Sequence, residues 1–546
     1  MFIRAKKIQD KPNHYRVQIV ENYRKGGKVK QKIVRHIGIA HNEQELEQFK
    51  ELAQVIKQQI VNQREPKLFS PTDLDGLKVR DNKPLPVNVK DLREEKRLIK
   101  GIHDIYGQLY EQVGFDEVFK GKRVTKEIIK HLVLARIASP LSKRSTQEFL
   151  SRDFGVNIKL EQIYRALDSL DDKLISQIQQ KTLNYTKGLF TEQINLVFYD
   201  CTTLYFESFT EDELRSFGYS KDNKFNQSQV LLALAVTLEG LPLGYELFAG
   251  NFYEGHTLKT VIESLRKRLS VNRSILVADS GLLNEENIKY LQEQGIEFIV
   301  GARLKSLPTE HKEKILEGKP KLVYQRDDDV LRVLELNYKG LRLVVSHSSK
   351  RAEKDRSDRE KAIERLKKKL SKSKDVKQLI SNYGYKKYIK VKGEHQIEVD
   401  EDKVMESAQW DGLHGILTNI KDLSAQQLIA QYHGLWQVEE SFRLQKHDLL
   451  IRPIYHWKPR RIKAHIALVY MSFALLRFMQ HKLKSQGIKL SVERVRNELT
   501  HAQVSIVRDR KTLKRYVIPS KPTEALKKIY RIFNKKYDVT PYLLTT

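Results

Sequence analysis

Between residues 194 and 300 the chain runs in strand periodicity interrupted by helical stretches, and this pattern fixes the class of fold. Ile194-Asn195-Leu196-Val197-Phe198-Tyr199 is a nearly unbroken apolar run, as expected of a strand covered on both faces, and it ends at Asp200. Val230 to Thr237 reads as a second strand. Leu243 to Phe248 reads as a third, after a Gly240-Leu241-Pro242 turn. Thr257 to Leu269 has helical spacing. Ser274 to Ala278 is a fourth strand, followed by Asp279, with Gly281 allowing a tight exit. Asn284 to Gln294 is a helix and Ile296 to Val300 a fifth strand. Three consecutive strands followed by alternating helix and strand predict a mixed α/β sheet.

The rest of the chain divides around this core. Residues 1–63 read as a small β-hairpin plus helix. Tyr15, Val17 and Ile19 alternate with polar residues, Gly26-Gly27 offers the turn, and Lys28 to Ile39 is extended. Asn42 and Glu45 then begin a helix in the manner of a capping box, with Leu46, Phe49, Ala53, Ile56 and Ile60 on its inner face. Residues 64–91 carry Pro66, Pro71, Pro84 and Pro86 and read as a linker.

Residues 92–188 look helical throughout. The segments Ser145 to Ser151 and Lys159 to Leu170, parted at Phe154-Gly155-Val156-Asn157, have the spacing of a helix–turn–helix. In that reading Lys159, Gln162 and Arg165 face the major groove of DNA; an ordinary helical hairpin with a solvated basic face has the same spacing. Residues 302–410 form an insertion of extended segments and a charged helix from Lys350 to about Leu370. Gly412 to Asn419 is a further strand, so 189–301 and 411–480 together make the core, and 481–546 reads as a basic helical C-terminal region.

Charge indicates the partner. Ninety-nine Lys and Arg against 69 Asp and Glu leave a formal charge of +30, which favours a polyanion, most simply double-stranded DNA. No membrane association is expected. The N-terminus lacks a signal-peptide core, and the apolar run Ile466 to Leu476 is too short to span a bilayer and reads as a buried helix. The single Cys201 excludes an internal disulfide framework and a cysteine-rich zinc site. A cytoplasmic, nucleoid-associated protein is expected.

Ser424 to Leu449 reads as one long helix with Ser424 as its N-cap. Leu428, Tyr432, Leu435, Trp436, Glu439, Phe442 and Lys446 recur at steps of three and four and so share a face. A carboxylate within an apolar stripe needs a partner: a metal ion, or Arg443 or Lys446 if Glu439 lies at the rim. Glu440 points about 100° away from that stripe. Asp200, Asp279 and Glu439 together offer the hard oxygen ligands that suit Mg²⁺ or Mn²⁺. Two such ions about 3.5–4 Å apart activate a nucleophile and stabilise the leaving oxygen of a phosphodiester. Each Asp also has an ordinary reading as a turn or cap residue. His433, His447 and His456 lack zinc spacing. Arg452, and Lys458 through Lys463 with Arg460 and Arg461, form a basic exit from the helix, read as phosphate contacts or as a solvated loop.

Four segments in order carry a resemblance. Phe198-Tyr199-Asp200-Cys201-Thr202-Thr203, Gly250-Asn251, Val277-Ala278-Asp279-Ser280-Gly281 and Tyr432 to Lys446 resemble the DDE transposases of bacterial insertion sequences. More narrowly, they resemble the subgroup with a Tyr-x2-Arg-x3-Glu-x6-Lys signature on its last catalytic helix. Tyr432, Glu439 and Lys446 match that signature, Trp436 and Val438 match the positions before its Glu, and Leu435 stands where its Arg would be. Gly218 to Asp222 and the 302–410 insertion also look like this group. The resemblance implies an RNase H-like core with Asp200, Asp279 and Glu439 binding two divalent ions. It implies hydrolysis at the element's end and transfer of the resulting 3′-OH to target DNA. Tyr432 and Lys446 would hold phosphates, with the missing arginine's contact moved to Arg443 or Arg452. A homodimer on paired DNA ends is expected by the same analogy.

Overall fold

The structure, a computed structural model, describes residues 1–8, 14–25, 28–64, 87–190, 194–218, 226–269, 275–282, 284–326, 329–372, 388–392 and 396–544. The Gly26-Gly27 turn, the Ile60 side chain, most of the proline-bearing linker and Tyr219 to Asp222 lie outside the described residues.

An antiparallel sheet of β1 (Phe2–Lys7), β2 (Tyr15–Lys25) and β3 (Lys28–Ala40) is covered by α1 (Glu43–Arg64). Val17, Ile19, Ala40, Leu46 and Ala53 form its core, with Phe49 and Ile56 packed against it. Next come β4 (Leu92–Ile99), α2 (Gln108–Val113), α3 (Arg123–Ala138), α4 (Lys143–Asp153), α5 (Leu160–Asp168) and α6 (Asp172–Gly188). The expectation of helix throughout 92–188 is corrected at β4. Its Arg93 to Arg97 are all exposed, so no apolar alternation marks it, and it is held as a strand by pairing with a segment near the other end of the chain.

The main sheet begins with β5 (Leu196–Tyr205), β6 (Gln229–Val236) and β7 (Pro242–Ala249), then α7 (Thr257–Leu269), β8 (Ile275–Ala278), α8 (Glu285–Glu293) and β9 (Glu297–Ala302). The strand expected to stop at Asp200 continues to Tyr205, because Asp200 to Tyr205 go on pairing antiparallel with Leu234 to Gln229. The segment read as an insertion contains α9 (Thr309–Leu316), β10 (Lys321–Arg326), β11 (Asp329–Tyr338), β12 (Leu341–Ser348), α10 (Ser349–Lys372), a hairpin of β13 (Ile389–Lys392) and β14 (Gln396–Val399), and α11 (Glu401–Ala408). With β15 (Leu413–Thr418), β10 to β12 enlarge the main sheet to nine strands in the order β10-β11-β12-β15-β9-β8-β5-β6-β7. Only β5, β8 and β9 run parallel to their neighbours in the middle of it.

The chain then folds into α12 (Ala425–His433), α13 (Trp436–Arg443), α14 (Pro459–Ser485), α15 (Val492–His501), β16 (Gln503–Asp509), β17 (Arg515–Pro519), α16 (Glu524–Ile532) and β18 (Tyr542–Leu544). The expected helical C-terminal region is corrected here too: β16, β17 and β18 join β4 in a four-stranded sheet. Strand Val-Ser-Ile-Val alternation is present at β16, but only the distant β4 completes the pairing. The run expected to be too short to span a bilayer lies in α14, the one described helix that is long and apolar enough to cross a membrane; as expected of that run, it is buried. It packs on α3, α5 and α6, so the helical region and one face of the main sheet share a single core that includes Phe198, Val277, Val438 and Phe473. The other face holds Val197, Tyr199, Leu276 and Ala278 against α7 and α8.

Candidate active site

The parallel pairing of β5 and β8 sets Leu196 to Tyr199 opposite Ile275 to Ala278, one for one. Asp200 and Asp279 are the next residue on each strand, so they emerge side by side where β8 ends, on strands about 4.8 Å apart. Phe198 and Val277, two residues earlier, both point into the core under the helices. By strand alternation the two aspartates lie on that same face. Asp200 is half-buried and Asp279 exposed. Asp200 Oδ1 accepts the Cys201 N–H at 2.7 Å, and Asp279 Oδ1 accepts the Ser280 N–H at 2.7 Å.

The segment bearing Glu439 crosses this face, but not as one helix. Ser424 caps its start, and Gln427 returns the bond to the Ser424 N–H. The helix then tightens around Gly434 and Leu435 into successive i→i−3 bonds that run into the first turn of α13, with Leu435 N donating to Tyr432 O and Val438 N to Leu435 O. Close approach explains the glycine: a Cβ at 434 would stand 2.6 Å from Cζ of Phe198. Three-residue turns advance each side chain about 120° rather than 100°, so the stripe drifts out of phase. The expected placement of Trp436 and Glu439 on the buried stripe is therefore corrected. Both are exposed, and Val438 and Ser441 are buried in their place, while Leu428, Tyr432, Leu435 and Phe442 of the expected stripe are buried.

Tyr432 ties this segment to the aspartates. Its hydroxyl donates to Asp279 Oδ1 at 3.5 Å, and the approach needs Gly301, whose Cβ would lie 2.5 Å from that hydroxyl. Burial, and then the charge of Asp279, push the Tyr432 phenol well above its usual range, with Glu439 adding to the shift. The His414 ring stands 4.9 Å from the Tyr432 ring. Burial and the neighbouring Arg351 and His433 push its pKa down to about 4, against the pull of Asp279. No periodicity singled out His414 or Arg351: His414 reaches the site through the sheet pairing of β15, and Arg351 sits in the first turn of α10, directly after β12.

The other sequence-derived candidates are dispersed. Arg443 is paired with Glu440 through two bonds of 2.6 Å, so the ion pair considered for Glu439 is made by its neighbour. Lys446 lies half-buried in a π-helical turn, Leu444–Asp448. Arg452 sits 5.1 Å from the centre of the Tyr205 ring, at the end of β5. Arg461 grips Asp168 at 2.7 and 2.6 Å and Lys463 pairs with Asp172, which fastens α14 to α5 and α6; Arg460 is exposed. Lys159 and Arg165 are exposed on α5, and the Gln162 side chain caps its first turn by accepting from the Lys159 N–H at 2.8 Å. Sequence reasoning passed over Arg477, buried in α14, which donates to Ser441 Oγ at 2.8 Å and Gln437 O at 3.2 Å and so fixes α13.

Among the described residues, no three His, Cys, Asp or Glu side chains gather closely enough to hold a metal ion. The neighbouring aspartates still fit one, since Mg²⁺ is usually held by one or two carboxylates together with substrate phosphates. Residues 191–475, more than half of the chain, match the family described as the transposase DDE domain. Residues 3–67 match the N-terminal domain of IS1634 family transposases. No curated protein matches the chain. The side-by-side aspartates on β5 and β8 fall within the first match and the three-stranded unit within the second, and the chain belongs to the DDE transposases of insertion sequences.

Proposed function

We propose that this transposase cuts the phosphodiester bond at the ends of its element and joins the freed 3′-OH ends to target DNA. Asp200, Asp279 and Glu439 would be the catalytic carboxylates of an RNase H-like core. The observation that carries the reading is the register that puts Asp200 beside Asp279 under the segment bearing Tyr432 and Glu439. Asp200 and Asp279, joined by Glu439, would hold two divalent ions, Mg²⁺ or Mn²⁺. Bound there, such ions lower the pKa of an attacking water and stabilise the leaving oxygen. Tyr432 orients Asp279 through its hydroxyl, and Lys446 and Arg452 meet the phosphates flanking the scissile bond. Arg443, Arg460, Arg461 and Lys463 extend that surface, and Lys159, Gln162 and Arg165 read the terminal repeat. The DNA is double-stranded, two chains hold two ends as a homodimer, and the work is done in the cytoplasm on the nucleoid.

The test uses DNA carrying the element's own terminal repeats with Mg²⁺. Asp200→Asn, Asp279→Asn and Glu439→Gln should each lose cleavage while keeping DNA binding; a variant that cuts as fast as the parent removes its residue from the site. One observation favours a second reading, a DNA-binding protein that no longer cuts: Leu435 stands at the signature's arginine position. That reading predicts salt-sensitive binding and no metal-dependent cleavage by the parent.

A further inference from the structure

Four basic side chains are buried together where α3 and α4 meet the segment following α13. Arg136 is 7% exposed, Lys143 8%, His456 8% and His465 5%. Arg136 Nη1 donates to the carbonyls of Leu449 and Leu450 at 3.2 and 3.3 Å. The His465 Nε2 lies 3.0 Å from Ile451 O, so that nitrogen carries the proton. The Nδ1 is then the acceptor for Lys143 Nζ, 3.4 Å away. The His456 ring is 5.5 Å from the His465 ring.

Among the described residues, none of these four groups forms an ion pair with a carboxylate. The acid whose charge reaches His456 is Asp168, and both its oxygens are held by Arg461. Buried cations are costly unless an opposite charge offsets them. Lys143 is left with one long hydrogen bond for three donors, and Arg136 hydrogen-bonds through Nη1 alone among the described residues. Lys143 also occupies the first turn of α4, where the backbone dipole favours an anion. Exposed Lys458 and Arg460 stand on the same stretch of chain as His456.

We propose that Lys143, Arg136 and His456 form a phosphate site, with His465 holding the Lys143 amine through its Nδ1, taken by a backbone phosphate of bound DNA or by free phosphate. A tetrahedral anion accepts from several directions at once, which matches convergent ammonium, guanidinium and imidazole donors better than a planar carboxylate does. The site joins the helical region to the chain leaving α13, so its occupation would brace one against the other. It does not depend on the proposed cleavage chemistry.

The experiment compares the full chain with Lys143→Met, melting each in sodium phosphate and in sodium chloride of equal ionic strength. Phosphate should raise the melting temperature of the parent above its value in chloride, and K143M should lose that increment. The variant should also melt higher than the parent in chloride, since it no longer buries an amine held by a single long hydrogen bond. A second arm follows the salt dependence of DNA binding. If the ligand is a DNA phosphate, the slope of log Kobs against log salt should shrink by about 0.9 in K143M. An unchanged slope with the increment lost assigns the site to free phosphate. Equal phosphate increments in both proteins with equal slopes overturn the proposal. Should K143M fail to fold, His456→Gln is read by the same two criteria. Asp200→Asn should keep the increment, which separates this site from the proposed active site.

Discussion

Gly434 is where the geometry of the proposed site can be disturbed by a single methyl group. Its φ of −62° and ψ of −12° are open to any L residue, so the glycine is not required by its backbone. It is required by space. A Cβ would meet Cζ and Cε1 of Phe198 at 2.6 and 2.8 Å and the carbonyl of Gln431 at 3.0 Å. Phe198 is fully buried and its ring cannot swing into solvent. Overpacking of this kind costs about 1–3 kcal/mol. Alanine recovers about 1 kcal/mol of helix propensity. Gly434→Ala should therefore destabilise by about 1 kcal/mol net. Gly434→Val, with two further carbons and a stiff χ1, should cost about 3 kcal/mol or more. The consequence for function is larger, because the parts forced apart are β5 just before Asp200 and the turn just before Glu439. Urea denaturation gives the stability change from the midpoint at constant slope. Cleavage of terminal-repeat DNA, measured where the variant is fully folded, gives the rest, and it should fall well beyond any loss of folded protein. A G434A protein that is as stable as the parent and cuts as fast would refute the reasoning.

Two further outcomes follow from the surroundings of the site. Arg477→Ala removes charged hydrogen bonds to Ser441 and Gln437 and should cost about 1.5–3 kcal/mol, with Arg477→Met milder because it keeps the packed stem; thermal melting in one buffer ranks the three proteins. His414 has a folded pKa near 4 against about 6.5 when unfolded, so the unfolded chain takes up its proton first as pH falls. Its stabilising contribution is complete above about pH 6.5 and is lost as pH falls toward 4, at up to roughly 1.4 kcal/mol per pH unit. Urea midpoints at pH 7 and pH 5 should differ less for His414→Gln than for the parent; an unchanged difference counts against the assignment.

The five strands from 194 to 300 were legible because both faces of the central sheet are covered, so their sequences are continuously apolar. The buried helix around Ile466 to Leu476 was legible for the same reason. Strand β4 was not, since Arg93 to Arg97 are exposed and only pairing with β16 makes the segment a strand. Nor did the extended segments of 302–410 reveal that they lengthen the main sheet, because which strand lies beside which is a non-local choice. Glu439 was selected on a helical phase that does not hold across Gly434, and the signature spacing around it does not depend on that phase.

Sequence by itself determined the α/β class, the basic surface charge, the DDE resemblance and the residue types of the proposed site. Those follow from local periodicity, composition and spacing, which need no partner segment. Tertiary structure alone decided that Asp200 and Asp279 stand in neighbouring register and that the segment tightens where Gly434 lies against Phe198, leaving Glu439 exposed. It also decided that His414 and Arg351 come to Tyr432, and that four basic groups are buried together without a carboxylate ion pair among the described residues. Each of these depends on contacts between residues far apart in the chain, where backbone pairing and close packing override the pattern of any one segment.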